Sequence, residues 1–364
     1  MFLKNISIVN FKSIEEQELQ FCSNINCIIG DNGVGKTNIL DAIYHLSMCK
    51  SFFTLQDRQC IKQGEDFYVL QGEYDVDGKM EKIYCGLHNE ERHKSFRRNG
   101  AEYQRLADHI GLLPIVFSSP TDTTLIYDSD SRRKFVDAII SQFDSIYLKN
   151  LTMYKRAIEH RNSLLHKVQD GERVSDTEFE IWDMQLADYG TKIHSTRTDF
   201  INDIIPIFQK YYTKISNGRE NVKLVYESKL NETSFENLLH SNYDRDRASG
   251  HTNGGIHRDD ISFLLGDNSI RQCGSQGQQK TYLISLKFAQ FDYIKRKVGQ
   301  KPILLLDDIF DKLDPKRVKV ISEMVSSDDF GQIFITDTSY DRMPNMLADL
   351  KIEHTLHHIK NENN

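Results

Sequence analysis

The sequence predicts an α/β protein with a split core. A mostly parallel sheet has its two halves at the two ends of the chain, a strand-rich patch follows the first half, and an α-helical lobe is inserted between. Three observations predict this. The β-branched run at 25–29 passes through a glycine-rich loop into an amphipathic stretch from Lys36 to Ser47. From residue 278 onward, short apolar runs alternate with helical patterns, as in α/β cores. Between these ends, from Ser131 to about Ser216, apolar residues recur every three or four positions, a block that cannot belong to a parallel sheet. The expected division is 1–125 for the first half of the core, 126–250 for the helical lobe, and 251–364 for the second half.

Taken in order, Ile6, Ile8 and Phe11 share one strand pattern. Ile39, Leu40, Ile43 and Leu46 fall on one helical face. The stretch from Phe67 to Arg98 is strand-rich and ends at the turn signal Asn99-Gly100. Pro114 to Phe117 predicts a buried strand. In the lobe, Phe135, Ile139, Phe143, Tyr147, Leu151, Tyr154 and Ile158 mark one helical stripe, and 168–176 interrupts it. A second helical stretch runs from about Thr177 to Tyr212, with Pro206 predicted to kink or restart it. Ser249 to Gly255 reads as a flexible return. Strand Ile261–Leu265, helix Gln278–Arg296, strand Ile303–Leu306, helix Pro315–Met324 and strand Ile333–Ile335 follow, then a polar tail from Lys360.

Composition excludes some classes of function. The net charge of -7 gives no general attraction for nucleic acid, although a local basic patch still can, because charges are screened over about 8 Å at physiological salt. The six cysteines form no CxxC pair, and no His cluster sits at zinc spacing, so reduced, mostly buried thiols in a cytoplasmic protein are expected. No stretch approaches the roughly 18 apolar residues of a membrane span, so no membrane partner is expected.

The strongest chemical signal is Gly30-Asp31-Asn32-Gly33-Val34-Gly35-Lys36-Thr37, a P-loop pattern between strand and helix. Its glycines let backbone N–H groups curl round phosphates. The helix that starts near Lys36 turns its positive end to the same oxygens, Lys36 adds a full charge, and the Thr37 hydroxyl can ligate Mg²⁺. The bound cofactors this predicts are ATP and Mg²⁺.

A second signal is Ile303-Leu304-Leu305-Leu306-Asp307-Asp308, a buried strand ending in two acids. Asp307 suits the Mg²⁺-associated Walker-B role, and Asp308 can orient or deprotonate an attacking water. Without the P-loop, this pair would read as a solvated strand end. The third signal is Ser275-Gln276-Gly277-Gln278-Gln279-Lys280, which alone is a polar helix start. Its place one helix before the acidic strand matches the signature motif of ABC ATPases, which faces the γ-phosphate held by a second subunit.

The ordered set resembles the RecF family along nearly the whole chain. Ile8-Val9-Asn10-Phe11-Lys12-Ser13 is similar to the first strand of RecF and its SMC relatives, and Phe117-Ser118-Ser119-Pro120 to the segment before the helical lobe. The double arginine of Ser131-Arg132-Arg133-Lys134-Phe135-Val136-Asp137 resembles a family motif, as do Tyr154-Lys155-Arg156 and 160–165 in the lobe. His257-Arg258-Asp259-Asp260, the signature, Asp307-Asp308 and Leu313-Asp314 follow in family order.

The resemblance implies an ABC-type ATPase head with a helical second lobe, dimerising on ATP and binding double-stranded and gapped DNA without sequence preference. It further implies action with RecO and RecR to help load RecA at single-strand gaps in repair, replication and the SOS response. The nucleotide site would comprise Gly30, Asp31, Asn32, Gly33, Val34, Gly35, Lys36, Thr37, Asn38 and Lys12, with Ser275, Gly277 and Gln278. Lys36 and Asp308 would be catalytic, and Thr37 and Asp307 would hold the metal. Two departures stand out. Gly255-Ile256 replaces the usual Gly-Pro, and Asp337-Thr338 stands where most ABC ATPases carry a switch histidine. With Asp308 in place of the longer Glu, slow turnover is expected.

Candidate DNA contacts are four basic groups: Arg92, Lys94, Arg97 and Arg98; Arg132, Arg133 and Lys134; Lys155, Arg156 and Arg161; Lys316, Arg317 and Lys319. Each can instead be a solvated face or an internal salt-bridge partner. The alternative to a DNA clamp is an ATP-gated protein scaffold in which hydrolysis is incidental. A nuclease-linked ATPase would need a further carboxylate domain after residue 335, and a transporter ATPase fits neither the helical insertion nor the Asn10-Phe11-Lys12 pattern.

Overall fold

The computed structural model describes every residue except 92, 219, 312, 343–352 and 361–364. The chain divides into two compact units: Met1–Thr123 with Tyr211–Gly218 and Gln276–Asn364, and Thr124–Lys210 with Arg219–Ser275. The expected boundary at 250 thus differs from the observed one, because the chain between there and Ser275 packs with the helical unit.

The first unit holds two sheets. β1 (Phe2–Phe11), β2 (Ile14–Gln20), β4 (Phe67–Val76), β5 (Lys79–His88), β6 (Ser95–Arg98) and β7 (Ala101–Glu102) form an antiparallel sheet in the order β2-β1-β4-β5-β6-β7. β3 (Ile25–Ile29), β8 (Ile115–Ser118), β12 (Ile303–Leu306), β13 (Ile333–Asp337) and β14 (His354–His358) form a parallel sheet in the order β14-β3-β13-β12-β8. The middle strands are buried along their whole length and mostly apolar because both faces are covered. β14 is an edge strand, paired with β3, and its polar His354-Thr355-Leu356-His357-His358 carries no apolar run that would announce it.

Helix α1 (Lys36–Met48) packs against strands of both sheets. It is buried nearly all round, which its alternation of Ile39, Leu40, Ile43 and Leu46 with small and polar residues conceals. Two of its buried polar residues find partners: Asp41 with Lys12 and Ser51, and His45 through Nε2 with the Tyr68 hydroxyl, its Nδ1 having none among the described residues. α8 (Gln276–Val298) packs on β8, and α9 (Pro315–Val325) starts from Asp314, whose carboxylate accepts the Lys316 and Arg317 N–H groups. Cys27, Cys49, Cys60 and Cys85 are buried thiols and Cys273 is exposed.

The second unit contains α2 (Thr124–Tyr127), α3 (Ser129–Ile140), α4 (Ser145–Gln169), most of α5 (Asp176–Ser216), α6 (Phe235–Ser249) and α7 (Ile270–Cys273). α5 continues through Pro206 as one helix, so the proline does not restart it as one of the two expected outcomes had it. Burial of Ile204, Ile207 and Phe208 on either side holds the helix together despite the missing N–H. β9 (Val222–Glu227), β10 (Asp260–Leu265) and β11 (Asn268–Ser269) form a separate antiparallel sheet, so the strand at 261–265 is no part of the parallel core. The return at 249–255 is packed rather than flexible: Thr252 is buried, and its N–H and hydroxyl both donate to Asn162 Oδ1.

Candidate active site

The P-loop lies between β3 and α1, as its sequence context requires. A Cβ on Gly30 would meet the carbonyl oxygen of Ile359 at 2.5 Å, so only glycine fits beside the end of β14. Gly35 has φ of 96° and sits at the head of α1, which begins without a side-chain cap. The first-turn N–H groups of α1 therefore face outward as anion donors. Lys36 is buried, and its Nζ donates to the carbonyls of Gly30 and Asp31 at 2.8 Å each, leaving a third ammonium N–H for a phosphate oxygen.

The paired acids reach the same place. The Thr37 hydroxyl lies 3.0 and 3.1 Å from the two carboxylate oxygens of Asp307. Thr336, at the end of β13, is a site residue that sequence reasoning missed. Its hydroxyl donates to Asp307 Oδ1 at 2.7 Å and accepts the Asp308 N–H at 3.0 Å. That single oxygen fixes the first acid and the backbone of the second. Its signal was its place on the strand beside the Walker-B strand, which only strand order reveals.

Asp308 has φ of 46°, a left-handed conformation that costs a non-glycine residue on the order of 1 kcal/mol and re-aims its carboxylate. Burial pushes Asp308 above the usual carboxylate range, opposed by Lys36 and reinforced by Asp337 and Asp311. Burial likewise raises Asp307, helped by Asp308 and opposed by its hydrogen bonds from Thr336 and Thr37. The two acids thus crowd each other and await positive charge.

Lys12 is also in a left-handed conformation, at φ of 56°, clamped by its N–H bond to the Cys60 carbonyl. Its ammonium pairs with Asp41 on α1 and lies 5.0 Å from the Phe53 ring. Asn38 donates to the Ser13 hydroxyl at 2.7 Å, tying the first strand's exit to the first turn of α1. Asp31, Asn32 and Gly33 form the exposed tip of the loop, and Val34 lies half-buried behind it.

Gly277 and Gln278 lie in the first turn of α8, directly after the exposed Ser275. The nearest group to a Cβ on Gly277 would be the Arg317 guanidinium at 3.0 Å. One turn into the same helix, Lys280 meets the acidic loop, its Nζ donating to the carbonyls of Asp308 at 3.1 Å and Asp311 at 2.5 Å. Asp337, in the switch-histidine position, is buried, accepts the Ser339 N–H and pairs with Arg342 at 3.3 Å.

Most of the basic candidates are neutralised within their own units. Arg161 is fully buried and pairs with Asp183 and Asp246 at 2.6 Å each, which corrects its assignment as a DNA contact. Lys94 is buried against Asp57 and Arg98 pairs with Glu81. Arg132 grips Asp260 through two bonds of 2.7 Å, while Arg133 and Lys134 pair with Asp130. Arg317 pairs with Asp314 and Lys319 with Glu323, and Arg97 lies over the Tyr84 ring. Lys155, Arg156 and Lys316 are exposed, and Arg92 lies outside the described residues. The double-arginine and His257 motifs turn out to be one network: Tyr154 donates to His257 Nδ1 at 2.8 Å, and Arg133 reaches the Asp259 carbonyl.

A family model described as AAA ATPase domain matches residues 1–256. The chain is 47% identical over 349 residues to the DNA replication and repair protein RecF of Bacteroides fragilis, covering 95% of this chain and 93% of that one. It is 45% identical to the RecF of Flavobacterium johnsoniae, covering 94% and 95%. Among solved structures it is similar to the recombination mediator protein RecF bound to ATP, with a TM-score of 0.86 and 32% identity over 94% of this chain and 93% of that one. An Smc head bound to the C-winged helix domain of ScpA shares the fold, at a TM-score of 0.56 and 16% identity over 95% and 92%.

Proposed function

The chain belongs to the RecF family of ATPases, and from that premise we propose an ATP-gated dimeric DNA clamp that turns over slowly. The observation that carries the proposal is the joint at Thr336: one hydroxyl ties Asp307, and through it Thr37, to the backbone of Asp308.

The N–H groups of the P-loop and α1 bind the phosphates, and Lys36 supplies their counter-charge. Thr37 and Asp307 place two kinds of oxygen about 3 Å apart, a donor set that suits Mg²⁺. When bound, that ion would neutralise developing phosphate charge. Asp308 orients the attacking water and takes its proton, its raised affinity for protons making it a better base than an exposed Asp. Ser275, Gly277 and Gln278 of one copy cap the phosphates held by Lys36 of the other, so ATP joins two molecules and hydrolysis parts them. Lys12 and Asn38 brace the cradle from the first strand. DNA is gripped through phosphates without sequence reading, in double-stranded and gapped forms. In the cell this clamp acts in the cytoplasm with RecO and RecR to help load RecA.

The neutralised basic clusters favour a second reading, a scaffold whose ATP state is read by a protein partner. Sedimentation with a hydrolysis-resistant ATP analogue, and ATPase rates with and without gapped duplex, separate the two. The clamp requires a dimer and salt-sensitive stimulation by DNA. A monomer under saturating analogue ends the clamp reading, and a dimer indifferent to DNA supports the scaffold.

A further inference from the structure

Far from the P-loop in sequence, α5 and α6 enclose a groove of about 980 Å³ in the helical unit. The helices run antiparallel, since Phe235 packs on Gly190 while the Tyr243 hydroxyl donates to Asp176. Along α5 the lining extends from Asp176 to Lys192, roughly 25 Å of helix. The floor is apolar, from Phe179, Ala187 and Leu239, all buried. On its lip Met184 is 73% exposed, and one turn before it on α5 Ile181 is 53% exposed, an apolar pair in water that the unit's own packing does not require.

The charge on the groove is one-sided. Asp183 is neutralised by the buried Arg161 and Asp188 by Lys192. Asp176, Glu180 and Glu236 are exposed, and among the described residues no basic side chain forms an ion pair with them. By the antiparallel packing, Asp176 and Glu180 stand at one end and Glu236 toward the other. A straight apolar channel between two helices, with carboxylates at both ends, is complementary to an amphipathic helix with an apolar stripe and lysines or arginines beside it.

We propose that the α5–α6 groove docks a basic amphipathic helix of a partner protein. Met184 and the Phe179–Leu239 floor take its apolar stripe, while Asp176, Glu180 and Glu236 pair with its cations. The docking is independent of the nucleotide reading above, because no residue of the P-loop or the acidic pair takes part.

The test uses the full-length protein and two fluorescent helical peptides of about 17 residues, the length that spans the groove. They share a leucine stripe, and one carries lysines where the other carries glutamates. Anisotropy should show wild type binding the lysine peptide in preference to the glutamate one, more weakly as salt rises. Binding should fall at least about tenfold in Met184→Asp and in the double variant Glu180→Lys/Glu236→Lys. The double variant should instead bind the glutamate peptide. ATPase rate and thermal melting, unchanged in both variants, show that they are folded. Failure of wild type to prefer the lysine peptide overturns the proposal whatever the variants do, as does equal affinity across variants. Nucleotide-free self-association that Met184→Asp abolishes would give the groove to a second copy of this chain, and overturns it too.

Discussion

Thr336 makes a prediction that no motif makes. Thr336→Val keeps the side chain's shape but removes both the donor to Asp307 and the acceptor for the Asp308 N–H. Turnover should fall about 10- to 100-fold with nucleotide affinity little changed, and Thr336→Ser should restore it. Steady-state rates with a fluorescent-nucleotide titration read both quantities. Asp308→Asn should lower turnover by about 10²–10⁴ while ATP still binds and dimers persist. Full activity in that variant would remove Asp308 from the chemistry. At this scale the sequence is informative where function needs a fixed order of residues, as from Gly30 to Thr37. It is silent about Thr336, and about Lys280 holding the acidic loop, because such roles arise from which strand or helix lies alongside.

Helices α4, α5 and α6 meet on a buried ion network, and elements stand or fall with it. Arg161 and Asp246 are both fully buried, and Thr252 closes the group at 3.0 Å from Arg161 Nη1. Removing one partner leaves a bare charge in the interior. Arg161→Ala or Asp246→Ala should destabilise the helical unit by roughly 3–5 kcal/mol, whereas Lys155→Ala on the exposed side of α4 should change little. Urea unfolding followed by circular dichroism measures this. Elements with a strong apolar period, such as β12 and the stripe of α4, are legible in the sequence because burial on a known face dictates residue type. β9 is different: Val222, Leu224 and Tyr226 alternate as a strand should, yet the run is short and follows a long helix. The flexible return at 249–255 misled for another reason. Its Ser, Thr, Asn and Gly residues, typical of a loop, here bond to Asn162 and Asp246.

Across the molecule, acid should loosen the fold. His109 is buried, His257 partly buried, and both share one arrangement: Nε2–H donates to a carbonyl, of Leu46 and Thr252 respectively, and a tyrosine hydroxyl meets Nδ1. Burial holds both down at about 4, and pushes His45 well below its usual range. The unfolded chain takes up these protons near pH 6.5 and the native chain refuses them until about pH 4. Their stabilisation is therefore complete above the unfolded value and is lost as pH falls through that window, on the order of 3 kcal/mol each. Buried acids such as Asp122, whose affinity for protons is raised, oppose the trend. The urea midpoint should drop from pH about 7 to about 5, and drop less in His109→Gln.

Among the described residues, Ile25 pairs across the sheet with Ile333 and His354. A ribosome adding about 5–20 residues each second leaves β3 waiting for something like half a minute. During that wait β3 lacks the strands that flank it and Asp307 has yet to be made, so a half-finished chain has no Thr37–Asp307 joint. A nascent chain gains the acidic pair only after β12 and the Thr336 clamp only with β13, and a message cut short before β12 yields a polypeptide with neither.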